Sequence, residues 1–375
     1  MKGNKHMKTI NHIIYPAVKT VTRKLAAFAA LTLTCATVLG VPPGGGGGGN
    51  TGGGTIYFIG PWDSAQQGGT AVMRTMNSDG SNNRQLGLGL FGNPSTALHG
   101  GRRWFLYHKP IPDSYYLDGT QVFELFALRD DYDGTLNNNS TTKVQLTNNI
   151  DLQAKPWCTA WVPSDQQISF KARRWSGGVV VAGGIYTASP VFDANGNITG
   201  LVAQPTTPAI PFPLVETAPG DLWPAFEDYS WAPEGDRVVY SGVGNIDLLI
   251  ADLLGSPHQR ILAAYSMWPQ WSPDGTKIAF TTSTLGIATI RDNGTQLRVI
   301  ISPTSTWSAY RPYWSPRSNF IAFTGQTRSG SPPNYIYNLD VNRASATGGN
   351  LTDLTHSPAP FNESIVHTFG GGGWR

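Results

Sequence analysis

Cysteine is scarce in this sequence: Cys35 and Cys158 are the two among 375 residues. A disulfide-stapled small domain is therefore excluded. Long apolar runs are missing too, since the best, Leu25–Val41, falls short of the ~20 residues a comfortable membrane span needs. No extended stretch carries the periodicity of an amphipathic helix, which argues against helical and α/β folds. No Gly-x-Ser-x-Gly elbow occurs, so a serine-hydrolase triad has no anchor. His99, His108, His258, His356 and His367 are scattered, and no two stand at metal-ligand spacing. Charged residues make up only 14% of the chain, so where they sit matters more than how many there are.

Six of the basic residues, Lys2, Lys5, Lys8, Lys19, Arg23 and Lys24, precede the apolar run, and no acidic residue accompanies them. Pro42-Pro43 and a glycine tract, Gly44–Gly49 and Gly52–Gly54, follow it. A basic start, a short apolar core and a small-residue exit read as a secretory signal peptide over residues 1–40. Lipid attachment at Cys35 and retention as an uncleaved anchor are the alternatives; Thr34 stands where a lipobox wants Gly, Ala or Ser. Residues 41–54 read as a flexible Pro/Gly-rich linker and 55–375 as the folded domain. The expected location is periplasmic or extracellular, with membrane attachment only through such an anchor or lipid. The whole chain has 27 Lys+Arg against 24 Asp+Glu, formally +3. Without residues 1–40 the balance is 21 against 24, formally −3. The basic character belongs to the leader, and nucleic-acid binding loses its compositional support. Cys158, beside Trp157 and Trp161, reads as a small buried apolar residue.

What the chain does have is a repeat. Trp271-Ser272-Pro273-Asp274-Gly275 is turn chemistry, and Ile278-Ala279-Phe280 begins a strand beyond it. The pattern recurs at Trp231–Tyr240 and Trp314–Phe323, more weakly at Trp161–Phe170, and without its leading Trp at Ala97–Leu106. Each unit continues with a strand, an Asp-Gly-like turn and a strand. The best leading Trp residues are 40 and 43 positions apart. A period near 40 carrying four strands marks β-propeller blades. The predicted fold is all-β: six four-stranded antiparallel blades, the first, Ile56–Leu86, lacking its inner strand. A segment within Phe361–Phe369 is expected to supply that strand and close the ring, leaving no free sheet edge.

The Trp-Ser-Pro-Asp-Gly-x-x-Ile-Ala-Phe repeat, with the closing pairs Leu146-Thr147 and Leu354-Thr355, resembles that of TolB-like propellers over about residues 55–360. TolB carries a separate α/β domain ahead of its propeller; here the linker stands in that place. The resemblance implies the fold and leaves function open, since such repeats occur in binding propellers, peptidase propeller domains and polysaccharide lyases.

Function is expected opposite the repeated turns, in the segments that join strands B to C and blade to blade. These hold Trp62, Tyr115, Tyr116, Trp157, Trp175, Trp223, Trp268, Trp307 and Tyr310, with the cations Lys109, Lys155, Arg173, Arg174, Arg311 and Arg328. Aromatic rings beside Arg suit sugars or anionic chains; packing between blades is the competing reading for Trp157, Trp223 and Trp268. Glu227-Asp228-Tyr229 opens an inner strand toward the channel. Asp130-Asp131-Tyr132-Asp133-Gly134 looks calcium-like, but Arg129 occupies the first ligand position and a hairpin turn explains it. No metal or cofactor is expected. The leading reading is a monomeric binding or scaffold module for a protein or glycan partner, with catalysis left open. Its binding residues are Trp175, Arg173, Arg174, Trp223, Glu227, Trp268, Tyr310, Arg311, His108 and Tyr115. The alternative is a carbohydrate-active enzyme, a polysaccharide lyase with His108, Tyr115 or Tyr116, and Arg173 or Arg174 as its base and carboxylate-neutralising groups.

Overall fold

The computed structural model describes residues 53–61, 71–85, 93–94, 98–115, 119, 121–130, 143–148, 151–163, 166–218, 221–331, 334–355 and 368–374. Residues 1–52, which include the expected signal peptide and most of the expected linker, lie outside them, as do Trp62, Tyr116, His356, His367 and positions 131–134 of the calcium-like run. Six four-stranded antiparallel sheets form a six-bladed propeller, each running A to D outward. Blade 1 comprises Thr368–Trp374, Thr55–Pro61, Ala71–Asn77 and Arg84–Gln85. Blade 2 comprises Asn93–Pro94, Trp104–Tyr115, Gln121–Arg129 and Lys143–Gln145. Blade 3 comprises Leu152–Trp161, Ile168–Ser176, Val179–Ala188 and Ile210–Pro211. Blade 4 runs Phe226–Trp231, Arg237–Gly242, Leu248–Asp252 and Gln259–Leu262, and blade 5 Ser266–Trp271, Ile278–Thr282, Ile287–Ile290 and Arg298–Ile301. Blade 6 is Trp307–Trp314, Phe320–Ser331, Asn334–Ser345 and Thr352–Asp353. The A strands touch one another in cyclic order, so the ring is closed.

The repeat is a self-contained turn. Ser272 Oγ accepts the Lys277 N–H at 2.9 Å and donates to Asp274. The Asp274 carboxylate accepts the Thr276 N–H at 3.0 Å, and Gly275 takes the positive φ of 71° that the turn requires. The leading Trp joins blades: Trp231 Nε1 donates to Ser169 Oγ of blade 3, and Trp314 Nε1 to the Gln270 carbonyl of blade 5. The closing Leu-Thr is structural as well. Thr355 Oγ1 accepts the Val341 N–H and donates to Asp340; Thr147 does the same between Leu125 and Glu124.

The hydrophobic core is distributed between blades. Trp271, Ile278 and Phe280 of blade 5 pack on Val239, Leu248 and Ile250 of blade 4, and Ile56 and Phe58 of blade 1 pack on Tyr313 and Phe320 of blade 6. On the face of the repeated turns three arginines clamp neighbours. Arg129 donates to Asn197 (blades 2 and 3), Arg237 to Asp292 (4 and 5) and Arg343 to the Ser78 carbonyl (6 and 1).

Four expectations need correction. The closing strand is Thr368–Trp374, meeting the expected segment only at its end. Blade 2 has an inner strand, Asn93–Pro94, where a link was expected. Blade 3 reaches its D strand past residue 204, because a hairpin, Pro190–Phe192 with Ile198–Leu201, intervenes around an Asp193 turn. The stretches 108–120, 172–184 and 325–334, expected as loops, are mostly strand: pairing in blade 6 continues to Ser331↔Asn334 and in blade 3 to Val179↔Ser176.

Gly100 shows how tightly blades 2 and 3 meet. Its φ is 58°, and a Cβ there would lie 1.8 Å from the Asn195 carbonyl oxygen. Gly100→Ala is expected to cost roughly 1–3 kcal/mol in urea unfolding. Gly101→Ala, where φ is 75° but nothing lies within 4 Å, is the control that separates collision from backbone strain.

Candidate functional site

Four of the inner strands share a defect just ahead of the repeated Trp. Register breaks between Ala154 and Thr159, Phe226 and Tyr229, Met267 and Gln270, and Tyr310 and Tyr313. Counted from each blade's Trp, the residue three positions ahead is Cys158, Asp228, Trp268 or Arg311. Trp268 and Arg311 hold positive φ of 49° and 56°. For large side chains these are outliers.

Asp228, Trp268, Gln270, Arg311 and Tyr313 line a cleft of ≈ 220 Å³ between blades 4, 5 and 6, measured out to open solvent. The Arg311 guanidinium lies over the Trp268 ring at 4.9 Å, and Tyr310 packs against the same indole with ring centres 5.9 Å apart. Arg311 is buried, and its N–H donates to Thr281 Oγ1 of blade 5 at 3.0 Å. Tyr310 is buried as well; its hydroxyl has no hydrogen-bond partner among the described residues, and burial pushes its pKa up.

Thr281 lies ten residues after Trp271, and Lys171 holds the same position after Trp161. Lys171 is buried, donates to the Phe226 carbonyl of blade 4, and lies over the Phe226 ring at 4.4 Å. Burial holds its ammonium well below the usual lysine range, against the opposing pull of Cys158, Glu227 and Asp228. Glu227 is half-buried, and its carbonyl accepts a contact from Cys158 Sγ at 3.9 Å.

The arginines of blade 3 are placed differently from the cleft. Arg173 is fully buried. It bonds Gln153 at 2.5 Å, Asp221 at 2.6 Å and the Leu222 carbonyl at 2.8 Å, sandwiched between Trp175 at 5.0 Å and Trp223 at 4.3 Å. Lys155 covers Trp223 at 4.6 Å, completing a stack of alternating cations and indoles. This stack pins the hairpin Leu214–Ala218 and Asp221–Pro224 onto blade 3. Arg174 donates to the Thr206 carbonyl at 2.6 Å, and Trp175 Nε1 to Gln153 at 3.1 Å.

His108, Tyr115 and Arg173 have three unlike surroundings. His108 is buried in blade 2, and burial alone pushes its pKa down to about 3, so its imidazole is neutral near neutral pH. Tyr115 stands exposed near the tip of that blade's long hairpin, and Arg173 is enclosed as described. Among the described residues no group of three or more His, Cys, Asp and Glu could hold a metal ion.

Lys171, Gln270 and Thr281 carry no motif of their own. The signal that could have found them is their constant offset from the repeated Trp.

No protein-family model matches the sequence. A 126-residue stretch is 29% identical to dipeptidyl-peptidase 5 of Porphyromonas gingivalis, covering 28% of this chain and 18% of that protein. The chain thus spans under a fifth of the length of the curated relative it matches. Similar solved structures include an oligogalacturonate lyase in complex with manganese, at 13% identity, covering 72% of this chain and 74% of that one with a TM-score of 0.40. Another is a puromycin-hydrolyzing peptidase of Mycobacterium tuberculosis, at 13% identity, covering 80% and 45% with a TM-score of 0.44.

Proposed function

We propose that this chain is an exported binding propeller that seats a carboxylate-bearing group of a protein or glycan partner between blades 4, 5 and 6. One observation carries the reading: adjacent inner strands force Trp268 and Arg311 to positive φ and stack them on one another in the cleft. Each such backbone state costs on the order of 1–3 kcal/mol, and strain of this kind gathers at functional sites. Stacking fixes the plane of the guanidinium, and a planar guanidinium is the side chain whose geometry matches a carboxylate. The enclosed part of the cleft has room for about one water-sized group, far less than a site that encloses a whole small molecule, so only the tip of one group of a larger partner can enter it.

Glycan-array and pull-down screens rich in uronates and acidic peptides test the proposal. Arg311→Lys and Trp268→Ala are each expected to weaken the recovered ligand about tenfold or more, the size of a lost charge-assisted hydrogen bond, with unchanged thermal unfolding. Affinity unchanged from the parent chain in both variants would overturn it. The match to a dipeptidyl-peptidase favours a second reading, in which the propeller presents a peptide for hydrolysis; cleavage products released from an acidic peptide would select it. Release of an unsaturated product from an acidic polysaccharide would instead select the lyase alternative.

A further inference from the structure

The inner strand of blade 1 is unlike the other five in composition. Thr368–Trp374 reads Thr-Phe-Gly-Gly-Gly-Gly-Trp. Its pairing with Thr55–Pro61 runs through Ile56↔Trp374, Tyr57↔Gly373 and Ile59↔Thr368, with a register break between Tyr57 and Ile59. On its other side Thr55–Pro61 pairs without a break from Thr55↔Asn77 to Pro61↔Ala71. Glycine has no side chain to pack between blades and loses the most backbone freedom when ordered into a strand. Four of its seven residues can therefore bring only main-chain hydrogen bonds to the closure, which any extended chain can supply.

Blades 1 and 6 also meet without that strand. Ile56, Phe58 and Met76 share a buried cluster with Tyr313, Phe320, Val341 and Leu354. Arg343 donates to the Ser78 carbonyl at 2.6 Å, and Gly80 packs so closely on blade 6 that a Cβ would lie 2.9 Å from the Leu354 oxygen. Two closures are thus superposed, the packing of blades 1 and 6 and the pairing of the closing strand. Residues 356–367 connect blade 6 to the closing strand, and twelve residues reach up to about 40 Å, enough to cross to a neighbouring ring.

We propose that the edge of Thr55–Pro61 is a strand-exchange site. In one molecule it holds the chain's own Thr368–Trp374; between two molecules it holds the same strand of a second copy, in a reciprocal two-fold swap. The glycines fit this role because identical backbones compete on equal terms, and the register break leaves the native pairing little advantage over a newcomer.

Two batches of full chain carrying donor and acceptor dyes, mixed at high concentration, are expected to develop energy transfer over hours while light scattering records a dimer fraction. Gly371→Ala with Gly372→Ala is expected to slow the exchange about tenfold, each position regaining strand stability that glycine forfeits. A fluorescent peptide of residues 366–375 gives a readout independent of those variants: it is expected to bind the full chain slowly and to compete with dimer formation. No energy transfer together with no peptide binding overturns the site. Peptide binding without exchange between chains overturns the second copy as its occupant and points to a foreign strand.

Discussion

Acidification from about pH 6.5 to about pH 4 is expected to remove roughly 3 kcal/mol of stability through one side chain, His108. The imidazole is buried in strand B of blade 2, and burial pushes its pKa from 6.5 down to about 3. In the unfolded chain the same group protonates near 6.5. Between those two values the unfolded state binds a proton that the folded state refuses, so acid favours unfolding. The contribution is complete above pH 6.5 and is lost progressively as pH falls toward 3. Each unit is worth about 1.4 kcal/mol. Urea unfolding at several pH values reads the slope directly, and His108→Gln is expected to flatten it. Asp79, Asp193 and Asp252, whose carboxyls are held below 3.8 chiefly by hydrogen bonds, lose their contributions only in more acid solution. An unchanged slope in His108→Gln would mean that the imidazole finds water or a partner when it charges.

Arg173→Ala is expected to cost about 3 kcal/mol, the low end for breaking a buried ion pair. The low end applies because Asp221 is 35% exposed at its side chain and keeps some water, whereas Arg173 has none. Removing the guanidinium strips a partner from Gln153, Asp221 and the Leu222 carbonyl at once, and leaves Trp175 and Trp223 facing a gap. Arg173→Lys is not expected to rescue it, since an ammonium has neither the planar face for two indoles nor the fork for three acceptors. Chemical unfolding gives the magnitude. Hydrogen exchange locates it, with faster exchange expected first in Leu214–Ala218 and Asp221–Pro224. A loss under about 1 kcal/mol, typical of surface pairs, would show that the stack is dispensable.

These two residues also mark where sequence reasoning stops. The ring was legible because its turns are local: Ser272, Asp274 and Gly275 satisfy one another within five positions. The need for a closing strand followed from counting strands. Arg173, by contrast, sits in Arg-Arg-Trp-Ser-Gly-Gly, which reads as an exposed cationic turn. What buries it is Asp221, 48 residues on, and Gln153, 20 residues back. Gln326–Ser331 reads as a loop because the residues on its half-buried face, Gln326 and Arg328, are polar, so the alternation of burial has no apolar alternation to show it. Trp268 and Arg311 were visible as aromatic and cationic candidates. Their backbone state was not, because a register break between paired strands sets it, and neither residue type asks for positive φ.

Blade 1 begins with a B strand, and that fixes which way the ring points. Thr55–Pro61 starts at the level of the repeated turns and runs away from them. Gly53, just before it, lies beside the turn of blade 6, where a Cβ would be 4.0 Å from Arg317 Nε. The described chain thus begins on the face where Arg129, Arg237 and Arg343 clamp neighbouring blades together.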